Sequence, residues 1–133
     1  KEKIYNKLKG SIQFLSYVSP GTLVAKFTKI GIGTIICPNC LIAVNASIGN
    51  FVTVNTSSQI GHDVKLGDYS SIMSNVDIGG HCDLGKKVFV STGSTIIPGR
   101  LITDNVKIGA GSVVLRHIKK AKSVFGNPAK EIK

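Results

Sequence analysis

Ile, Leu or Val occupies every sixth position of this chain without interruption, from Ile12, Val18 and Val24 through to Ile102, Ile108 and Val114. These three types make up 38 of 133 residues. Eighteen successive hits in one phase have chance odds on the order of one in 10^10. A period of six is neither the 3.6 of an amphipathic helix nor the two of an ordinary strand. It predicts an all-β fold, a parallel β-helix of hexapeptide repeats.

Within the unit, Gly often follows the aliphatic residue, as at Gly31, Gly49, Gly61, Gly67, Gly79, Gly85 and Gly109. Four positions after the aliphatic the residue is small or β-branched, as at Ala46, Ser58, Val64 and Ser70. These two positions point the same way along a strand. Each unit therefore reads as a short strand followed by a two-residue corner, and three units make a triangular coil of eighteen residues. The β-helix is expected over 24–115. Residues 1–9 predict a short helix with Ile4 and Leu8 on one face, and the rest of 1–23 a lead-in segment. The repeat stops after Val114, since position 120 is Lys, and 116–133 is expected to cap the open end with Val124 and Phe125.

Composition narrows the class further. Hydrophobic content is 42% and charged content 18%, which fits an ordered chain, and 15 Gly with no Trp fit many tight corners around small aliphatics. The net charge of +10 is concentrated at the ends. Six Lys fall in 1–29 and six basic residues in 116–133, whereas 30–115 holds five basic and five acidic residues. Such ends are either solvated or face an anionic ligand such as a phosphate-bearing cofactor. Nothing resembles a nucleic-acid recognition motif, and no apolar run is long enough to span a membrane. Cys37 and Cys40 form a lone C-x-x-C, while Cys40 and Cys82 fall where the repeat wants a small core residue, so no metal site is expected of them. Unpaired cysteines suit a reducing, cytoplasmic setting.

Stacking in eighteens decides which corners are neighbours. One edge carries Val44-Asn45, His62-Asp63, Gly80-His81 and Pro98-Gly99 in successive rungs, and it alone gathers His, a carboxylate and Gly. His62 is the best candidate for a general base, with histidine's ordinary pKa of about 6.5 close to working pH. Asp63 is placed to orient the ring. Gly80, one rung away, is placed to lend a backbone N–H to a developing oxyanion. The competing reading is a set of solvent-exposed corner residues. His81 on the same edge and His117 beyond the coils read as corner and surface positions.

The stretch NTSSQIGHDVKLGDYSSI, the later STGSTIIPG and the closing GNPAK resemble the sialic-acid O-acetyltransferase and bacterial amino-sugar N-acetyltransferase family. The resemblance implies a left-handed β-helix and acetyl transfer from acetyl-CoA to a sugar hydroxyl or amine, within a homotrimer whose sites lie between subunits. It implies His62 as catalytic base with Asp63 as its acidic partner, and Asn55 near the substrate. It implies that Gly80 faces the thioester oxygen and that Pro98, Gly99, Asn127, Pro128 and Lys130 line the cofactor channel. Members commonly carry a second His nine residues after the base. Here that position is Ser71, which can still donate a hydrogen bond to the acetyl end of the cofactor. Members also carry an N-terminal nucleotide-binding βαβ domain, and the resemblance allows 1–23 to be read as a remnant of the linker from such a domain. Two alternatives stand beside this reading: a non-catalytic trimeric scaffold or relic, and a zinc carbonic-anhydrase-like enzyme using His62, His81 and His117.

Overall fold

A computed structural model describes residues 1–120 and 123–132. Two-residue strands recur every six residues from Tyr17–Val18 to Val113–Val114. Each pairs in parallel with the strand eighteen residues on, as in Ser71 with Phe89, Asp77 with Thr95, and Asp83 with Leu101. Three sheets result, and they wall a triangular prism of about six turns. The first sheet contains Thr53–Val54 and Ser71–Ile72, the second Gln59–Ile60 and Asp77–Ile78, and the third Lys65–Leu66 and Asp83–Leu84.

From Ile36 to Val114 every periodic aliphatic is buried. Each such side chain contributes about 1.5–3 kcal/mol over leaving it exposed. The column frays at its N-terminal end. Ile12 and Val24 are exposed, and Val18 and Ile30 are only partly covered, because no complete coil lies beneath them. Pairing nonetheless begins at Tyr17, ahead of residue 24.

Small residues four places after each aliphatic close the interior and also stitch the coils. The Ser58, Ser70 and Ser94 hydroxyls donate to the carbonyls of Met73, Gly85 and Gly109, fifteen residues on. Ser58 and Ser70 also accept from the amides of Val76 and Val88, eighteen on. A buried hydroxyl thereby satisfies itself and a strand amide together. Cys40 and Cys82 fill the same slot and direct their thiols to the Asn55 and Ile97 carbonyls. Burial pushes both thiols up, which keeps them protonated and inert, as core residues should be. Arg100 interrupts the series in the last coil, yet its guanidinium makes the same fifteen-residue clip to the Leu115 carbonyl.

The third residue after each aliphatic has positive φ along the whole shaft, from Phe27 and Gly33 to Asn105 and Gly111. This left-handed residue turns each corner. It costs an L-residue on the order of 1 kcal/mol, and Asn holds four of these positions, Asn39, Asn45, Asn75 and Asn105. The Gly just after the aliphatic answers a different need. A Cβ on Gly67 would stand 2.5 Å from the Gly85 oxygen and 2.6 Å from the Lys86 nitrogen of the next coil. Gly67→Ala is expected to destabilise the protein by about 1–3 kcal/mol, measured as a lower urea midpoint at unchanged slope.

The helix spans Glu2–Leu8. It docks through Tyr5, which meets Phe14 and Phe51, rather than through Ile4, which is 62% exposed. Phe51 stacks in turn on Tyr69. An ion pair between Glu2 and Lys87, 2.6 Å apart, ties the helix to the same edge. At the other end Ser123–Phe125 continues the first sheet in parallel on Lys107–Ile108, and Lys130–Ile132 returns antiparallel. Val124 is buried as expected of a cap, but Phe125 stays 54% exposed, its ring lying over Gly109. Residues 121, 122 and 133 of the expected cap lie outside the described residues. Among the described residues, no helix is long and apolar enough to cross a membrane.

Candidate active site

The edge between the second and third sheets stacks as the register demands. The Asp63 amide donates to the Val44 carbonyl, His81 to His62, and Gly99 to Gly80. His62 and Asp63 occupy one corner, so their side chains converge instead of diverging as neighbours in a strand do. His62 Nδ1 lies 2.8 Å from Asp63 Oδ2. A carboxylate there accepts the Nδ1 proton and leaves the Nε2 lone pair free, which is the tautomer a general base needs. The His62 hydrogen bond, above all, holds the Asp63 carboxyl below its ordinary range. Asn45 and His81 act in the same direction.

Asn45 was the part of this arrangement without an assigned role. It sits one rung below Asp63, and its side-chain nitrogen donates to Asp63 Oδ1 at 3.3 Å. The spacing of eighteen between Asn45 and Asp63 is the signal that marks it. His81 packs edge-on against His62, with ring centroids 4.8 Å apart.

Gly80 is confined by His62. A Cβ added to Gly80 would lie 2.5 Å from Nε2 and 2.8 Å from both flanking ring carbons. The reactive nitrogen therefore faces the Gly80 backbone. The Gly80 N–H has no acceptor among the described residues. On the neighbouring edge the equivalent amides are capped: Ile32, Asn50 and Lys86 donate to Asn50, Asp68 and Asp104, each eighteen residues on. The residue eighteen after Gly80 is Pro98, which offers no side-chain acceptor.

Other expected site residues stand apart within one chain. Pro98 and Gly99 belong to the His62 edge, two rungs from it, and the Pro98 ring packs over Gly79. Ser71 lies in the first sheet, across the prism from the His62 edge, and its hydroxyl accepts from Lys1 Nζ at 3.0 Å. Asn55 leaves the same sheet at Val54, and its Oδ1 accepts from its neighbour Thr56. Asn127 and Pro128, joined by a cis peptide, and Lys130 belong to the cap, where Ala129 donates to Val113. Pro128 and Lys130 line a small cavity with Leu115 and Arg116. His117 accepts the Leu101 amide proton on Nδ1 at 3.0 Å, so one of its nitrogens is occupied.

No protein-family model matches the chain. In sequence it is 34% identical over 118 residues to a serine acetyltransferase of Staphylococcus epidermidis, which covers 87% of this chain and 48% of that protein. A serine acetyltransferase of Staphylococcus aureus is 28% identical over 118 residues, with the same coverage. The chain thus spans about half the length of the curated relatives it matches. In structure it superposes on PerB from Caulobacter crescentus, solved with CoA and GDP-perosamine, with a TM-score of 0.97 and 25% identity, covering 99% of this chain and 64% of that one. The acetyltransferase domain of PglB from Neisseria gonorrhoeae superposes with a TM-score of 0.95 at 23% identity, over 98% of this chain and 64% of that one. In repeat, in fold and in sequence likeness, the chain is a left-handed hexapeptide-repeat β-helix resembling the hexapeptide acetyltransferases, sugar N-acetyltransferases among them.

Proposed function

We propose that the chain moves an acetyl group from acetyl-CoA to a sugar hydroxyl or amine, acting on a nucleotide-linked sugar or another glycan precursor. The observation that carries this reading is His62, with Nδ1 engaged by Asp63 and Nε2 facing a Gly80 backbone whose N–H has no acceptor among the described residues. The acceptor oxygen or nitrogen attacks the acetyl carbonyl while Nε2 removes its proton. The tetrahedral oxyanion takes the Gly80 N–H. As the C–S bond breaks, the imidazolium returns the proton to the CoA sulfur. Asp63 stabilises the imidazolium between these two transfers. No acyl-enzyme is required.

The positions of the parts favour an oligomer. Ser71 sits across the prism from His62, so only a neighbouring copy can bring its hydroxyl to an acetyl group held at the His62 edge. This supports a homotrimer with sites in clefts between subunits. Asn55 would reach the acceptor from that same opposing face. Pro98, Gly99, Asn127, Pro128 and Lys130 would follow the cofactor towards the basic cap. The partner is a small molecule, not nucleic acid or membrane, and the setting is cytoplasmic.

The structural neighbours favour a sugar acceptor, through GDP-perosamine in PerB and dTDP-4-amino-4,6-dideoxyglucose in AntD of Bacillus cereus. The curated sequence likeness favours L-serine as a second reading. Release of CoA thiol from acetyl-CoA, followed with nucleotide-linked amino sugars and with L-serine in parallel, separates them. Turnover with a sugar and none with serine is the expected result. Turnover with serine alone overturns the sugar reading. Absence of any acetyl-CoA binding heat supports a non-catalytic scaffold instead.

A further inference from the structure

We propose that His62, Asp63 and His81 also form a binding site for a divalent transition cation, zinc above all, whose occupation silences the base. The site itself stands on geometry alone, while its effect on turnover rests on the acetyl-transfer reading given above.

His81 is eighteen residues after Asp63 and stands directly over it, with its amide bonded to the His62 carbonyl. Asp63 Oδ2 lies 2.8 Å from His62 Nδ1 and 3.9 Å from His81 Nε2. One ligand atom from each of the three residues falls within 4.8 Å of the others. Zinc bonds to nitrogen and oxygen at about 2.0–2.2 Å, so modest side-chain rotation closes these three atoms around one ion. The side chains are free to make it, being 53%, 37% and 67% exposed for His62, Asp63 and His81. Two imidazoles and one carboxylate select zinc, copper or nickel over magnesium or calcium. Three protein ligands leave a fourth position for water. Asn45 holds the other Asp63 oxygen and so orients the carboxylate from behind, as an outer-shell partner does.

The chemical consequence is specific. The His62 nitrogen nearest the carboxylate is Nδ1. A metal ion that takes the Nδ1 lone pair displaces the proton there, and a neutral ring must then carry its proton on Nε2. That nitrogen is the one facing Gly80, and with a proton on it His62 can no longer act as a base. His117 takes no part, since it stands outside this cluster of ligand atoms among the described residues, with its Nδ1 on the Leu101 amide.

Calorimetric titration of the intact protein with zinc chloride tests the site without reference to turnover. The wild type is expected to take up one zinc per chain. His81→Asn, which keeps a residue tolerant of the left-handed corner, should weaken that binding by about tenfold or more, and His117→Ala should leave it unchanged. No zinc uptake, or uptake undiminished in His81→Asn, overturns the proposal. In the transfer assay zinc should inhibit the wild type, and half-inhibition of His81→Asn should need about tenfold more zinc or above, each protein scored against its own zinc-free rate. Equal inhibition of the two overturns the silencing step. A wild type without transfer activity refutes the enzymatic reading, while the calorimetry still decides the metal site.

Discussion

Replacing His62 by alanine is expected to lower acetyl transfer by about 10^2–10^4-fold, the range that base catalysis contributes, and to leave the thermal unfolding midpoint near that of the wild type. The second half of the expectation follows from where His62 sits. Its side chain is 53% exposed, so its loss opens no interior cavity. The rung is held by backbone bonds, the His81 amide to the His62 carbonyl among them, which alanine preserves. Asp63 keeps the hydrogen bond from Asn45. Gly80→Ala is the companion experiment. Its Cβ would fall 2.5 Å from Nε2, so the ring must turn away from its working position. A loss approaching that of His62→Ala, with the circular dichroism spectrum unchanged, is expected. Transfer by His62→Ala within a few-fold of wild type refutes the role given to this residue.

The prism was legible because its rules are local and repeat. A buried aliphatic every six residues and a turn between are set by strand geometry, and stacking in eighteens then makes His62, Gly80 and Pro98 neighbours without further information. The ends were less legible because periodicity is absent there. Tyr5 docks the helix because the stacked rings of Phe51 and Tyr69 stand at that edge and Tyr5 meets Phe51 there, a contact fixed by tertiary position and not by the 3.6 spacing of Ile4 and Leu8. Phe125 reads as a cap residue by hydrophobicity, yet the strand it belongs to turns it outward while Val124 turns inward. The Asp63 contact was undecidable from spacing alone, since it depends on the corner bringing adjacent side chains together. The separation of Ser71 from His62 was already implicit in the repeat. Nine residues is half a coil, which puts the two on opposite sides of the prism.

Pro98→Asn is expected to lower kcat by about 10^2–10^3-fold, the usual effect of losing one oxyanion donor, although it adds no bulk near His62 and removes no ionisable group. The expectation comes from the neighbouring edge. There Asn50 accepts the Ile32 amide at 3.0 Å, and Asp68 and Asp104 accept those of Asn50 and Lys86 at 2.8 Å each. The repeat thus has a standard way to cap the amide two places after an aliphatic, using the side chain one rung on. Gly80 escapes this cap because position 98 is Pro. Asparagine at 98 restores the acceptor, ties the Gly80 N–H into the ladder and withdraws it from the oxyanion. The variant should be as stable as the wild type or slightly more so, because a hydrogen bond is gained. Pro98→Ala removes the ring without supplying an acceptor, so it should keep a kcat close to wild type. The pair separates two roles for Pro98. If both variants lose activity equally, Pro98 acts by packing against the cofactor or Gly79, and the free Gly80 amide is incidental. If only the asparagine variant does, the proline is there to keep that N–H open.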